Sequence, residues 1–357
     1  MSEPVVLTEV KNKLGHIALN SPKSLNSLSL EMIQSILPTL KKWQDDPDIL
    51  AVVLQGSGEK AFCAGGDVVT LYKSMVEAKE KSIINEKALN FFVNEYTLDY
   101  TIHTYKKPVI CLADGITMGG GIGLMNGCSH RIVTEKTMLA MPEITIGLYP
   151  DVAGSFFLSR LPAHQGRFLG LTGGRMNAAD CLKVKMADYY ASSEELAVFK
   201  DKLSTVNDID ELNSLFKQLE KNSCPLESSL EKFDKKIQEI FNEPDLEIIF
   251  QKATQEIEKT ESKWLSRSLQ SLLRGCPTSA HLVMEQLKRG KEMSLKDVFK
   301  MELNMSMGCV NNGEFEEGVR ALLIDKDNSP KWNPATISEV SSEQIAQHFQ
   351  TTYSLDI

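Results

Sequence analysis

The sequence lacks the features that mark a membrane protein, a secreted protein or a metal site. None of its apolar runs approaches the ~18 residues that a membrane helix needs. Its first residues, MSEPVVLTEV, have neither the pattern of a secretion signal nor that of an arginine-rich transit peptide. The seven cysteines and six histidines fall in no metal-ligand spacing. We therefore expect reduced thiols, no metal and a cytoplasmic location, although a processed mitochondrial protein would look the same.

Several common catalytic motifs are absent as well. There is no phosphate-binding loop ending in Gly-Lys-Ser or Gly-Lys-Thr and no Gly-x-Ser-x-Gly nucleophile elbow. The glycine triplet that starts at Gly119 does not continue as a dinucleotide fingerprint, because the required third glycine falls on Leu124. Cys63 lies beside a glycine loop, but no activating base is identifiable, so we interpret it as a small buried residue.

Positive charge is scarce overall. Lys and Arg number 39 against 48 Asp and Glu, a formal net charge of -9. Because binding to phosphate backbones needs a surplus of cations, this charge argues against a nucleic-acid partner. An anionic small molecule could still bind where basic side chains gather locally.

The order of predicted elements indicates an α/β fold. Residues 4–10 and 14–20 predict a hairpin, and Ser29 caps a predicted helix that should kink or break at Pro38. A buried strand is expected at 50–55, and one long helix at 76–105. Strands alternating with helices continue to about residue 200, so we predict an α/β core at 1–200. The remaining residues, 201–357, are predicted to form an all-α region that packs on this core.

Two glycine loops and two carboxylates predict a site for acyl chemistry. Gly65-Gly66 and the Gly119–Gly121 triplet each lie between a strand and a helical pattern, where outward-facing amides favour developing negative charge. Glu143 and Asp151 each follow a proline and frame the apolar segment ITIGLYP. A single such carboxylate would be interpreted as a helix cap or a turn residue. As a pair they favour a partly desolvated site with at least one raised pKa.

Three segments, AFCAGGD, ADGITMGGGIGL and MPEITIGLYPDVAG, resemble the crotonase (enoyl-CoA hydratase/isomerase) superfamily. They are most similar to its 3-hydroxyisobutyryl-CoA hydrolase branch. The resemblance extends from NSPKSLNSL near the start to GVRALLIDKDNSPKW in the tail. It implies a spiral of repeated ββα units followed by an extended all-α C-terminal part.

The resemblance also implies roles for residues. The thioester carbonyl would be held by the backbone amides of Gly66 and Gly120. Glu143 would attack the thioester to give a mixed anhydride or would activate water. Asp151 would orient the substrate's 3-hydroxyl group or assist proton transfer, and Glu95 would line the acyl pocket.

Other positions are implied more weakly. Gly65 and Asp67 in the first glycine loop, together with Lys23, are expected to contact the substrate. Lys326 and Lys331 are further candidate cations for CoA, although solvent exposure is their ordinary role. Hydratases of the family carry a glutamate where this chain has Gly123, so the addition of water to a double bond would lose one of its two partners.

These observations predict hydrolysis of a short 3-hydroxyacyl-CoA, most closely 3-hydroxyisobutyryl-CoA in valine catabolism. No cofactor is expected, because the CoA thioester is itself the substrate. One alternative is an enoyl-CoA hydratase or isomerase, and another is a non-catalytic acyl-CoA-binding protein. The resemblance also implies a possible homo-oligomer, a trimer or hexamer, and no membrane partner.

Overall fold

The computed structural model describes residues 3–357 of the chain. Its strands are β1 (Val6–Lys11), β2 (Leu14–Leu19), β3 (Ala51–Gly56), β4 (Ala61–Cys63), β5 (Val109–Ala113), β6 (Ile116–Met118), β7 (His130–Val133), β8 (Met138–Ala140) and β9 (Tyr189–Tyr190).

The helices of the first part of the chain are α1 (Leu30–Asp45), α2 (Val68–Lys81), α3 (Glu86–His103), α4 (Gly120–Asn126), α5 (Gly154–Leu158), α6 (Ala163–Thr172), α7 (Ala178–Lys183) and α8 (Ser193–Leu203). Those that follow are α9 (Ile209–Leu219), α10 (Ser229–Lys232), α11 (Asp234–Phe241), α12 (Leu246–Ile257), α13 (Lys263–Arg274), α14 (Pro277–Gly290), α15 (Leu295–Asn312), α16 (Glu314–Val319) and α17 (Ser342–His348). Within residues 3–357, none of the helices combines the length and the apolar character that a membrane crossing requires.

The strands form two sheets, and their order explains the repeated units. The larger sheet runs β1-β2-β3-β5-β7-β9 and the smaller runs β4-β6-β8. Only the β1–β2 hairpin of the larger sheet is antiparallel, while β2–β3, β3–β5, β5–β7 and β7–β9 are parallel. Each of β3, β5 and β7 is thus followed by a short strand in the smaller sheet and then by a helical segment. The predicted α/β class with ββα units is confirmed.

Residue contacts divide the chain into two compact units, each built from three separate segments. The first contains residues 1–66, 98–139 and 176–231, and the second contains 67–97, 140–175 and 232–357. In the first unit the larger sheet packs its apolar face, including Val53, Ile110 and Ile132, against Phe199 of α8 and Phe216 of α9. The predicted division of the chain at residue 200 remains a prediction.

The N-terminal predictions are largely confirmed. The hairpin pairs Val6 with Leu19 and Lys11 with Leu14. Ser29 Oγ accepts a hydrogen bond from Met32 N at 3.2 Å and so caps α1 as expected. Of the predicted kink or break at Pro38, the break is wrong, since α1 continues through it to Asp45, and the kink remains a prediction. A buried apolar face on both sides of the proline offsets the hydrogen bond that proline cannot make.

The single long helix predicted at 76–105 is also wrong. Two helices stand there, because Ser82 adopts a left-handed backbone with φ +53° and ends α2. Asn85 then accepts a hydrogen bond from Ala88 N on Oδ1 at 3.0 Å and starts α3. The later part of α3 is buried as predicted, and it includes Glu95.

Candidate active site

The two glycine loops lie side by side in the first unit. Strands β4 and β6 are parallel neighbours, with Ala61 paired to Ile116, so both loops leave the same edge of the smaller sheet. A Cβ atom on Gly121 would lie only 2.2 Å from the carbonyl oxygen of Cys63. A Cβ atom on Gly65 would lie 3.4 Å from Met118 O. Glycine is therefore needed at Gly121 for the loops to approach this closely.

The backbone of each loop is fixed in a conformation that favours glycine. Gly65 has φ +111° and Gly119 has φ +47°. Leu28 N donates a hydrogen bond to Gly65 O at 2.8 Å, which anchors the first loop. Gly120 is the first residue of α4, and the opening amides of a helix have no acceptor within it. The structure thus brings the loops of Gly66 and Gly120 together, while the convergence of their amides on one oxygen remains a prediction.

The candidate carboxylates lie in the second unit, beginning with Glu143. This residue opens a 3₁₀ turn, Glu143–Ile146, directly after Pro142, and is 4% exposed. Its Oε2 has no hydrogen-bond partner among the described residues. Burial raises the pKa of Glu143 well above its usual value, and the charges of Asp151 and Glu95 raise it further. A buried carboxyl oxygen without a protein partner is what a group that meets substrate or water would show.

Asp151 is equally buried, at 4% exposed, but one of its carboxyl oxygens has a side-chain partner. Tyr96 donates its hydroxyl hydrogen to Asp151 Oδ2 over 2.8 Å. Burial raises the pKa of Asp151 to about 6, although the Tyr96 hydrogen bond lowers it. Because a pKa near neutrality suits proton transfer, Asp151 is placed to act as an acid or base.

A hydrogen-bond network extends from Asp151 into the unit. Ser306 Oγ lies 2.7 Å from the Tyr96 hydroxyl and 2.9 Å from the Tyr149 hydroxyl. Tyr149 in turn donates to the backbone oxygen of Glu302 at 2.6 Å. The sequence patterns did not reveal Tyr96, Tyr149, Ser306 and Glu302 as members of the site. Only Glu302 left a signal, as a lone carboxylate in the mostly apolar run MELNMSMGCV.

Glu95 belongs with the other carboxylates. It is 3% exposed on α3, and its charge contributes to the raised pKa of Glu143. The structure therefore brings Glu95, Glu143 and Asp151 together in one unit, as the sequence predicted. The role of Glu95 in the acyl pocket remains a prediction.

The remaining predicted contacts are at the surface or have structural roles. Lys23 is exposed on the 3₁₀ turn Pro22–Ser24, and Lys326 and Lys331 are exposed in the tail. Asp67 caps α2, since its Oδ1 accepts from Thr70 N at 3.1 Å. Substrate contacts by these four residues remain predictions.

Comparisons with known proteins agree with the sheet order, the glycine loops and the buried carboxylates. Residues 14–349 match the family model described as enoyl-CoA hydratase/isomerase, and the chain belongs to this family. A solved structure described as an enoyl-CoA hydratase from Rhodobacter sphaeroides is 30% identical, with a TM-score of 0.86 over 98% of each chain. This similarity confirms the crotonase-like fold with its helical C-terminal region.

Two relatives are closer in sequence. The protein named "3-hydroxyisobutyryl-CoA hydrolase, mitochondrial" from Gallus gallus is 41% identical over 99% of this chain and 90% of its own length. Its namesake from Danio rerio is 39% identical over 99% of this chain and 91% of its own length. The similarity thus covers both compact units, including every residue of the candidate site.

Proposed function

We propose that the protein hydrolyses 3-hydroxyisobutyryl-CoA to 3-hydroxyisobutyrate and CoA, a step of valine catabolism. It is an acyl-CoA thioester hydrolase of the enoyl-CoA hydratase/isomerase family. The relatives with this activity in their names match nearly the whole chain at about 40% identity. The names of these relatives do not explain how the reaction would occur, so the proposal also rests on the residues of the candidate active site.

The observation that carries the proposal is the pair of buried carboxylates with a glycine at position 123. Glu143 and Asp151 are both present and buried, and each has a raised pKa. Gly123 lies buried within α4, where the hydratases that this chain resembles carry a second glutamate. One carboxylate beside a hydroxyl-binding acid is sufficient to cleave a thioester, whereas the two-glutamate addition of water would lose one of its two glutamates at Gly123.

In the proposed reaction the amides of Gly66 and Gly120 hold the thioester oxygen. Such donors are commonly worth ~3–4 kcal/mol each as charge develops on that oxygen. Glu143 then acts in one of two ways. As a nucleophile it forms a mixed anhydride with release of CoA, and water later cleaves the anhydride. As a base it removes a proton from the attacking water. In either case Asp151 binds the 3-hydroxyl group or transfers a proton.

A direct assay tests the proposal. The protein is incubated with 3-hydroxyisobutyryl-CoA and a thiol-reactive dye, and free CoA is measured against a blank without enzyme. The proposal predicts catalytic release of CoA with matching formation of 3-hydroxyisobutyrate. Background rates from a protein shown to be folded would refute it.

The similarity to a solved structure described as an enoyl-CoA hydratase favours a second candidate, hydration of enoyl-CoA. Crotonyl-CoA separates the two, because hydration removes the absorbance of the conjugated thioester without releasing CoA. A third candidate, a non-catalytic acyl-CoA-binding protein, predicts that Glu143→Gln changes no measured rate.

The proposed reaction needs no metal and no redox cofactor. Its small-molecule partner is an acyl-CoA. For CoA, the exposed Lys23 is the first candidate cation, with Lys326 and Lys331 in the tail as further ones.

We further propose a homo-oligomer, a trimer or hexamer, which light scattering would test. The two named relatives are described as mitochondrial. Fractionation of source cells would decide between a cytoplasmic and a mitochondrial location for this chain.

A further inference from the structure

The segment that carries Asp151 has an unusual backbone. Val152 has φ +48° and Ala153 has φ +70°, so two consecutive residues other than glycine are left-handed. This conformation is unfavourable for L-residues and most unfavourable for a β-branched one such as Val152. Such strain persists only where surrounding groups enforce it, and it concentrates at functional sites. We call Pro150–Ser155 the Asp151 turn.

One buried side chain holds the far end of this turn. Glu302 on α15 is 0% exposed. Its Oε2 accepts a hydrogen bond from Ala153 N at 2.8 Å, and its Oε1 accepts one from Ser155 N at 2.9 Å. Both bonds are charge-assisted when the carboxyl is ionised, which makes them stronger than neutral ones. At the near end of the turn, Gln286 Nε2 donates to Pro150 O at 3.1 Å.

Stability alone explains Glu302 poorly. No ion pair joins it to a basic side chain in the described part of the chain. Burying a carboxyl group without a cation is unfavourable, and the nearby Asp151 adds repulsion, so the pKa of Glu302 is raised to about 8. Burying Glu302 close to Asp151 therefore costs folding free energy. An uncharged capping side chain would avoid this cost.

We infer that Glu302 is a positioning residue for Asp151: by binding the amides of Ala153 and Ser155, it keeps the Asp151 turn left-handed and so aims the Asp151 carboxylate. Tyr96, which binds Asp151 Oδ2, fixes the carboxylate from the other side. This inference rests on the proposed hydrolase function, in which Asp151 contacts the substrate. The ordinary alternative is that Glu302 only caps the short helix α5.

The variant Glu302→Gln tests the inference, because glutamine keeps the size of the side chain but turns an amide NH₂ towards one of the two backbone donors. We expect kcat for 3-hydroxyisobutyryl-CoA to fall about 10- to 100-fold, as is typical when a supporting hydrogen-bond partner is lost. KM should change less than about threefold, since the contact proposed for Asp151 is with the 3-hydroxyl group and not with the CoA portion. Wild-type kcat in folded Glu302→Gln would overturn the inference.

A double-mutant cycle with Asp151→Asn separates positioning from general destabilisation. If Glu302 acts through Asp151, adding Glu302→Gln to Asp151→Asn should lower kcat less than about twofold further. The same 10- to 100-fold fall in both backgrounds would mean that Glu302 acts independently of Asp151, and the inference would be wrong.

Asp180→Asn is the matched control. Asp180 is another buried carboxylate that binds backbone amides, with Asn177 N at 3.0 Å and Leu230 N at 2.9 Å, but in the first unit. This substitution should lower the melting temperature without the loss of kcat. A comparable loss of kcat in Asp180→Asn would point to destabilisation as the cause and refute the inference.

The failure of the proposed function has a different signature, because wild-type protein would then release no CoA in the same assay. In that event a crystal structure of Glu302→Gln decides. The inference predicts that Val152 or Ala153 leaves the left-handed region and that the Asp151–Tyr96 hydrogen bond breaks. An unchanged turn in that structure would overturn it.

Discussion

At the scale of single residues, the second compact unit contains three carboxyl groups whose ionisation is unfavourable. Glu143, Asp151 and Glu302 are all buried, and burial is the main cause of the raised pKa of each. When a carboxyl group has a higher pKa in the folded state, the folded state binds its proton more tightly. Stability then decreases as the pH rises from the unfolded towards the folded pKa. These carboxylates should therefore cost stability at neutral pH, in return for reactivity.

Asp151→Asn should stabilise the protein while it impairs hydrolysis. The pKa of Asp151 rises from 3.8 to about 6, so its ionisation opposes folding above that range. We expect the free energy of unfolding at pH 7 to increase by about 1–3 kcal/mol. The gain should shrink as the pH falls towards 4, where the wild-type carboxyl is protonated. Urea denaturation at pH 7 and pH 4 measures both values, and a variant that is less stable than wild type at pH 7 would contradict this account.

The sequence contained enough to find the candidate carboxylates but not the residues that hydrogen-bond to them or to their turn. Glu143 and Asp151 could be predicted because each follows a proline next to an apolar segment, and Glu95 because the family resemblance implied it. Tyr96, Ser306 and Glu302 act through contacts between residues that are far apart in the chain. The local sequence around Tyr96 does not indicate that its hydroxyl group binds Asp151.

At the scale of secondary-structure elements, the close approach of β4 and α4 brings the two glycine loops together. Gly121 allows this approach, because a Cβ atom there would meet Cys63 O at 2.2 Å. The proximity could be predicted only in outline, as two glycine loops that each follow a strand. That the strands are parallel neighbours depends on sheet order, which the local pattern does not contain.

Gly121→Ala should separate the two loops. Backbone atoms of Cys63 must move to admit the methyl group, which we expect to destabilise the protein by about 1–3 kcal/mol. Hydrolysis should fall further than this loss implies, because the Gly66 and Gly120 amides would no longer be in place. Thermal denaturation and kcat are measured together.

Gly313→Ala is the control for that substitution. Gly313 has φ +89°, but a methyl group added there would have no neighbouring atom within 4 Å, so only backbone strain of about 1 kcal/mol is expected. Its activity should be retained. A Gly121→Ala protein that is as active as Gly313→Ala would show that the approach of the loops is unimportant.

Two errors in helix prediction have different physical causes. The stretch at 76–105 has continuous helical periodicity, but Ser82 and Asn85 provide an end and a start that amphipathicity does not reveal. At Pro38 the local rule predicted a kink or a break, and the burial of Ile36 and Leu40 outweighed the tendency to break. In the first case local capping prevailed over periodicity, and in the second tertiary packing prevailed over local preference.

At the scale of the whole molecule, the α/β class followed from the order of strands, glycine loops and helices, and the family from the resemblance of three sequence segments. The composition of the compact units did not, because each unit combines three segments that are distant in the chain. Such long-range grouping depends on which apolar faces of helices and sheets pack together. A single sequence indicates which faces are apolar but not which of them pack against each other.

Removal of metals should leave the enzyme active. The proposed chemistry uses backbone amides and carboxylates, and neither requires a Lewis acid. After dialysis against EDTA, CoA release should continue at the rate of the untreated protein. A loss of activity that Mg²⁺ or Zn²⁺ restores would contradict the proposal of a cofactor-free reaction.

The most direct test of the central claim is CoA release by wild type and by Glu143→Gln, measured side by side. Glutamine preserves the size of the side chain but can neither attack the thioester nor accept a proton. The account predicts turnover of 3-hydroxyisobutyryl-CoA by wild type and a fall of about 10³-fold or more in the variant, the scale lost when a nucleophile or base is removed. A folded Glu143→Gln protein that releases CoA at the wild-type rate would contradict it.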